Sequence, residues 1–389
     1  MQYRKFGKLD LHISALGFGC MRLPVIEGKS GAIDQAEATR MIRFAIDQGV
    51  NYIDTAYGYH EKMSEIAVGK VLQDGYRQKV NLATKLPVWL VNETADFDKL
   101  LDEQLGKLQT DHVDFYLMHA LSHDSWKKVV DLDLLRRAEA AMADGRIRHV
   151  GFSFHDDLDT FKRIVDGYDH WDFCQIQYNY MDIKNQAGTD GLQYAAAKGL
   201  GVVIMEPLLG GKLARTIPAL APIWKTTTAH RTPADWALQW LWSQPEVSLV
   251  LSGMSTMQQV EENISSAGTS GVGLLQAEEI MTIGDVREKI QQLSPIPCTK
   301  CEYCLPCPNG VAIPHNFEIY NLGAMYNDHE HARHEYKVGI NDDAKAALCL
   351  QCQECEDKCP QKIRISDWMS VVDEVLGLDR PYVMNLPPA

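Results

Sequence analysis

The chain has no apolar run of the roughly 20 residues that a membrane-spanning helix needs, so no span is expected. It opens Met1-Gln-Tyr-Arg-Lys-Phe6, without the apolar core of a signal peptide, which reads as a cytoplasmic protein. Positive charge is short: 38 Lys and Arg stand against 52 Asp and Glu, for a net charge of −14. With no basic stripe to neutralise phosphates, nucleic acid and anionic membranes are poor partners. A glycine-rich turn after the first strand, which a doubly wound dinucleotide-binding sheet requires, is also missing. Cysteine is scarce in the first 297 residues, where only Cys20 and Cys174 occur, and the other eight crowd into 298–359. A reducing compartment does not keep such a crowd as disulfides, so it points to metal ligation.

What is present is a repeated beat of short apolar strand and amphipathic helix. Strands are expected near 15–18, 52–54, 80–84, 113–118, 147–153, 173–177, 202–205 and 248–251. Helices are expected near 34–48, 63–72, 96–108, 132–143, 158–166, 191–198, 232–243 and 256–265. Eight such units fit an α/β (β/α)8 TIM barrel, with a doubly wound sheet as the alternative. The connection 207–231 is long, as functional loops on a barrel's upper face often are. A helix over 276–293 leads to Ser294-Pro-Ile-Pro297, which reads as a boundary. The expected layout is a barrel over 1–293, a small mainly α cysteine domain over 294–378, and a mobile or docked proline-rich tail over 379–389.

Chemistry gathers where the strands end. Asp54 closes an apolar run, with Tyr57 and Tyr59 just behind it; Lys85 and His119 follow the next two strands. A carboxylate at the mouth of a buried strand is costly unless a cation meets it. Each group alone has a structural reading: an ion pair, a packing ring, a core histidine. Together, at successive strand ends, they supply what hydride transfer to a carbonyl needs. A phenol gives the proton, a nearby ammonium lowers its pKa, a carboxylate holds the ammonium, and an imidazole orients the oxygen.

Asp54-Thr-Ala56, the tyrosine five residues after the aspartate, Ala83-Thr-Lys85, Leu117-Met-His119 and Gly151-Phe-Ser153 resemble the aldo-keto reductase superfamily over about residues 3–267. The resemblance implies a (β/α)8 barrel that reduces a small-molecule carbonyl with a nicotinamide cofactor, through Asp54, Tyr59, Lys85 and His119. It favours Tyr59 over Tyr57 as the acid and implies that Ser153 and Gln175 hold the carboxamide, with Gln177 and Asn179 as neighbours. Pro207-Leu208-Leu209-Gly210-Gly211-Lys212 offers backbone N–H groups and a cation for a pyrophosphate, and Gly253-Met254-Ser255 opens a helix. Either loop can equally be plain turn chemistry. Met205 stands where many members stack an aromatic ring on the nicotinamide. By the anchor at Asn263, Gly253 and Gln259 occupy slots that often carry a basic residue for a 2′-phosphate, so NADP and NAD both stay open.

The cysteines form two runs: Cys298, Cys301, Cys304 and Cys307, then Cys349, Cys352, Cys355 and Cys359, each followed by proline. The second run matches the bacterial ferredoxin spacing, and the first differs by one residue. Paired thiolates also make zinc sites, but the third cysteine of each run and the prolines favour two [4Fe-4S] clusters. In ferredoxins of this kind the fourth cysteine serves the other cluster. That implies one set of Cys298, Cys301, Cys304 and Cys359, and another of Cys349, Cys352, Cys355 and Cys307. The expected role of the clusters is to relay electrons to or from a redox partner protein, or to serve structure. Rival readings keep the barrel without turnover, as a nicotinamide-sensing or electron-transfer protein.

Overall fold

The structure, a computed structural model, describes residues 1–298, 300 and 302–386. By contact the chain divides into two units: Met1–Gly211 with Arg231–Ala277, and Lys212–His230 with Glu278–Ala389. The segment 212–230 and nearly all of the helix Ala277–Gln292 thus go with the cysteines, upstream of the expected boundary at 293. The proline pair marks a bend within the second unit instead. There Asn321 braces Ile296 with two hydrogen bonds, accepting from its N–H at 3.0 Å and donating to its carbonyl at 2.8 Å.

The first unit opens with a hairpin, β1 (Tyr3–Lys5) and β2 (His12–Ser14). Eight parallel strands follow: β3 (Leu16–Gly19), β4 (Tyr52–Asp54), β5 (Asn81–Leu86), β6 (Val113–Leu121), β7 (Ile147–Phe154), β8 (Phe173–Gln177), β9 (Gly201–Met205) and β10 (Leu249–Ser252). They close in sequence order, β10 pairing with β3. The strand–helix alternation is as expected, with one helix unforeseen, His123–Asp131, which starts from a capping box at Ser122 and Ser125.

Side chains two apart on a strand share a face. The inward series fills the barrel from below with Tyr52, Ala83, Phe115, Leu117, Phe173, Val203 and Leu249, plugged at the base by Phe6 of the hairpin. One inward step further up, the same strands present Asp54, Lys85, His119, Ser153, Gln175 and Met205. The polar set is therefore the top layer of the barrel interior. Lys85 and His119 lie inside their strands rather than beyond them: Lys85 pairs with Leu117 and Leu86 with Met118, and β6 runs on to Leu121 past an irregularity that holds His119.

In the second unit, helices Ile313–Met325 and Ile365–Val372 pack around an apolar cluster that includes Cys304 and Cys359. The tail is docked as far as 386: Val383 exchanges two hydrogen bonds with the Tyr320 hydroxyl, at 2.8 and 2.9 Å. The histidine-rich stretch His329–His334 is helical, and His329 stacks on Tyr382. No helix among the described residues is long and apolar enough to cross a membrane.

Candidate functional site

Lys85 is the hub of the upper layer. It is wholly buried, and its ammonium donates to both Asp54 carboxylate oxygens at 2.7 and 2.8 Å and to the Thr55 carbonyl at 2.8 Å. The Tyr59 hydroxyl lies 3.4 Å from the same nitrogen. Burial pulls the lysine down, and Asp54 and Tyr59 together more than offset it, so the ammonium is held above its ordinary value. Burial pushes the Asp54 carboxyl up, opposed by the charge and hydrogen bond of Lys85.

The two tyrosines part company. Tyr57 turns out of the mouth, its hydroxyl donating to Glu103 at 3.3 Å, while Tyr59 turns in toward Lys85. The sequence reading expected the ammonium to lower the Tyr59 pKa. Here burial comes first and raises it, outweighing the lowering by Lys85, so the phenol rests protonated. His119 meets Tyr59 edge-on, ring centroids 6.1 Å apart, and Trp89 covers its other side at 5.0 Å. Burial, then the Lys85 and His155 charges, lower the imidazole to about 3, so it is neutral at ordinary pH. The His119 Nδ1 is buried and has no hydrogen-bond partner.

Around this core stand the residues expected to hold a coenzyme. Ser153 Oγ accepts the Ala120 N–H at 2.8 Å, and Gln175 Nε2 lies 3.5 Å from Met205 Sδ. Gln175 Oε1 is buried without a donor. An amide carbonyl left so is costly, and a carboxamide N–H is the kind of group that would satisfy it, so these residues fit a nicotinamide. Gln177 and Asn179 both engage Asp182 instead, at 2.8 and 3.4 Å.

The two loops read as anion cradles are more tightly knit than expected. In the stretch from Pro207 and Leu208 to Gly211, the Leu209 and Gly211 N–H groups donate to Glu206 and Leu208 carbonyls. Gly210 and Gly211 take φ of 65° and 91°, which favour glycine. Lys212 belongs to the second unit. The Ser255 N–H donates to Gln259 Oε1 at 2.8 Å, its hydroxyl to the Arg22 carbonyl at 2.7 Å, and Asn263 turns inward to Ser252 at 3.0 Å. Beside Gly253, Arg22 pairs with Glu206 at 3.6 Å. Trp89, Arg22 and Glu206 were not singled out from sequence. The signal for the first was a tryptophan three residues past the end of a barrel strand, which the fold leaves 51% exposed.

The cysteines line two cavities of the second unit. One is faced by Cys307, Cys349, Cys352 and Cys355; the other by Cys298, Cys304 and Cys359. Cys301 lies outside the described residues. Each run thus gives its last cysteine to the other's cavity. Ile313 and Ile365 border both cavities. Among the described residues no three His, Cys, Asp or Glu converge on a point as a single metal ion requires. Thiolates set around a cavity suit a cluster better than zinc, whose bonds to sulfur are only about 2.3 Å.

Comparison with known proteins agrees with both halves. The profile of the Aldo/keto reductase family matches residues 15–284, and that of a 4Fe-4S dicluster domain matches residues 297–363. L-galactose dehydrogenase of Arabidopsis thaliana is 29% identical over 287 residues, 68% of this chain and 88% of that protein. The NADH-specific methylglyoxal reductase of Escherichia coli is 24% identical, over 67% of this chain and 91% of that one. An aldo-keto reductase from Bacillus halodurans, solved in its holo form, superposes with a TM-score of 0.62 at 27% identity, over 73% of this chain and 96% of that one.

Proposed function

Because the chain belongs to the aldo/keto reductase family, a family of NAD(P)H-dependent oxidoreductases, we propose that it reduces the carbonyl of a small molecule at the upper mouth of its barrel, with Tyr59 as the proton donor. One observation carries this reading: Lys85 Nζ sits 2.7 Å from Asp54 and 3.4 Å from the Tyr59 hydroxyl, at the top of a closed barrel. A nicotinamide coenzyme, when bound, supplies the hydride.

The residues then divide the work. Ser153 and Gln175, with Met205 next to them, would hold the coenzyme's carboxamide. Burial keeps the Tyr59 phenol protonated, which is the state a proton donor needs. As negative charge grows on the substrate oxygen, Tyr59 gives up its proton, and the Lys85 ammonium stabilises the phenolate left behind. Asp54 keeps Lys85 charged and in place. Neutral His119, backed by Trp89, offers a hydrogen bond that orients the carbonyl. Pro207, Leu208, Gly210 and Gly211, with Gly253, Ser255, Gln259 and Asn263, would hold the rest of the coenzyme. No basic residue occupies the slots of Gly253 and Gln259, and a relative named as NADH-specific is consistent with NAD.

In the second unit, the cysteines would hold two [4Fe-4S] clusters, one on Cys298, Cys301, Cys304 and Cys359 and one on Cys307, Cys349, Cys352 and Cys355. Such clusters pass single electrons to a protein partner or stabilise the fold around them.

The test is turnover of methylglyoxal with NADH and NADPH. Tyr59→Phe is expected to lower kcat by about 100-fold or more with the coenzyme Kd unchanged. Tyr57→Phe, which keeps its ring and loses only the bond to Glu103, should cost no more than about threefold. A Tyr59→Phe enzyme that turns over like its parent would sink the proposal.

A further inference from the structure

Lys85 points into the barrel, so its neighbour Thr84 points out, toward the helices. Behind Thr84 lies a buried polar network in an otherwise apolar layer. Gln104, on the helix Asp96–Leu108, is wholly buried. Its Nε2 shares two hydrogens among three acceptors, the Glu65 Oε1 at 2.6 Å, the Lys85 carbonyl at 3.0 Å and the Thr84 Oγ1 at 3.2 Å. Its Oε1 accepts the Tyr116 hydroxyl at 2.8 Å, and Tyr116 pairs with Thr84 across the ladder. The Thr84 hydroxyl in turn donates to Glu65 at 2.7 Å. Polar groups in such a place are costly unless matched; Glu65 Oε1 is matched here, while Glu65 Oε2 is buried without a hydrogen bond and has only the Lys107 ammonium, 3.7 Å away, to offset its charge.

One turn along the same helix, Lys107 takes hold of the other partner. Its ammonium sits 3.9 Å from the centre of the Tyr57 ring, 2.6 Å from Glu103 Oε1 and 3.7 Å from Glu65 Oε2. Glu103 accepts the Tyr57 hydroxyl at 3.3 Å. Tyr57 lies two residues before Tyr59 in one short loop, and that loop is pinned at its root where Thr55 and Ser64 hydroxyls meet at 2.9 Å. One helix therefore grips the strand of Lys85 through Gln104 and the loop of Tyr59 through Lys107, and both limbs meet at Glu65.

We propose that Gln104 and Lys107, joined through Glu65, are positioning residues that set the separation of the Lys85 ammonium and the Tyr59 hydroxyl from behind the barrel wall. This rests on the proposed role of Tyr59 and Lys85 and adds to it a second layer that touches neither substrate nor coenzyme. The 3.4 Å contact lies at the long edge of a hydrogen bond, where a small slip of either limb loses it.

The experiment uses the full-length protein carrying its clusters. Lys107→Met removes the charge from under the Tyr57 ring, Lys107→Arg restores it, and Gln104→Met cuts the other limb. Ionisation of Tyr59 is read as the ultraviolet difference between each variant and the same variant with Tyr59→Phe, which needs no turnover. With Lys107→Met, the Tyr59 titration moves to higher pH, because the ammonium that opposes its rise has moved away. The kcat for methylglyoxal falls about ten- to a hundredfold at unchanged coenzyme Kd, and Lys107→Arg recovers most of it. If Lys107→Met and Gln104→Met lower the melting temperature while the Tyr59 titration and the kcat stay at parental values, the network is structural and the inference is overturned. If instead Tyr59→Phe turns over like the parent, it is the proposed catalytic role that fails, and the titration still decides whether the network positions the phenol.

Discussion

Lys85 carries two burdens at once, holding a buried charge pair together and facing the phenol. Removing it as Lys85→Met strands the Asp54 carboxylate, which is 3% exposed, with no cation. Breaking a buried pair from one side costs about 3–5 kcal/mol, while taking both charges away costs less. Chemical denaturation should therefore find Lys85→Met markedly less stable than the double change Lys85→Met with Asp54→Asn, though neither is active. His119 offers a separate reading. Held at about 3 when folded, against about 6.5 when unfolded, it lets the unfolded chain take up the proton first as pH falls. Its share of stability is therefore full above pH ~6.5 and is lost on the way down to pH ~3. The measurable form is an NMR titration in which the His119 ring shows no protonation step between about pH 5 and 8. The choice between Tyr57 and Tyr59 belongs to this scale too. Nothing in the residues themselves separated them, and family spacing alone favoured Tyr59. Their different hydroxyl partners, Glu103 for one and Lys85 for the other, come from where the loop places each ring.

Among the elements, the strands were the most legible, because a fully buried parallel strand reads as an apolar run with little else. Their upper ends were not. Lys85 and His119 read as residues beyond their strands, since a cation and an imidazole do not look like ladder members, yet Lys85 pairs with Leu117 and β6 continues past His119 to pair Leu121 with Phe154. The hairpin's part in the barrel was likewise invisible. Phe6 enters the base of the ring and rests against Gly201, where an added Cβ would lie 2.5 Å from the phenyl carbons. Gly201→Ala is expected to cost about 1–3 kcal/mol through this overpacking, read as a lower melting temperature with little change in coenzyme affinity.

At the scale of the molecule, the question is which cysteines act together. Cys359 faces the cavity of Cys298 and Cys304, and Cys307 faces that of Cys349, Cys352 and Cys355. With crossed ligation, Cys298→Ser with Cys359→Ser disables one cluster and keeps about half the iron, whereas Cys349→Ser with Cys359→Ser disables both. Iron and sulfide assays on protein purified without oxygen distinguish the two. By itself the sequence determined the alternation of strands and helices, the four polar groups at the upper ends of the barrel strands and the crowding of thiols near the C-terminus. Each is written in local pattern, as periodicity, spacing or residue type. The tertiary structure alone decided that the segment 212–230 goes with the cysteine unit, which way each tyrosine faces, and that burial raises the Tyr59 pKa where a neighbouring charge was expected to lower it. Those depend on how much water is excluded and on which distant residues meet, and neither quantity is present in a chain until it folds.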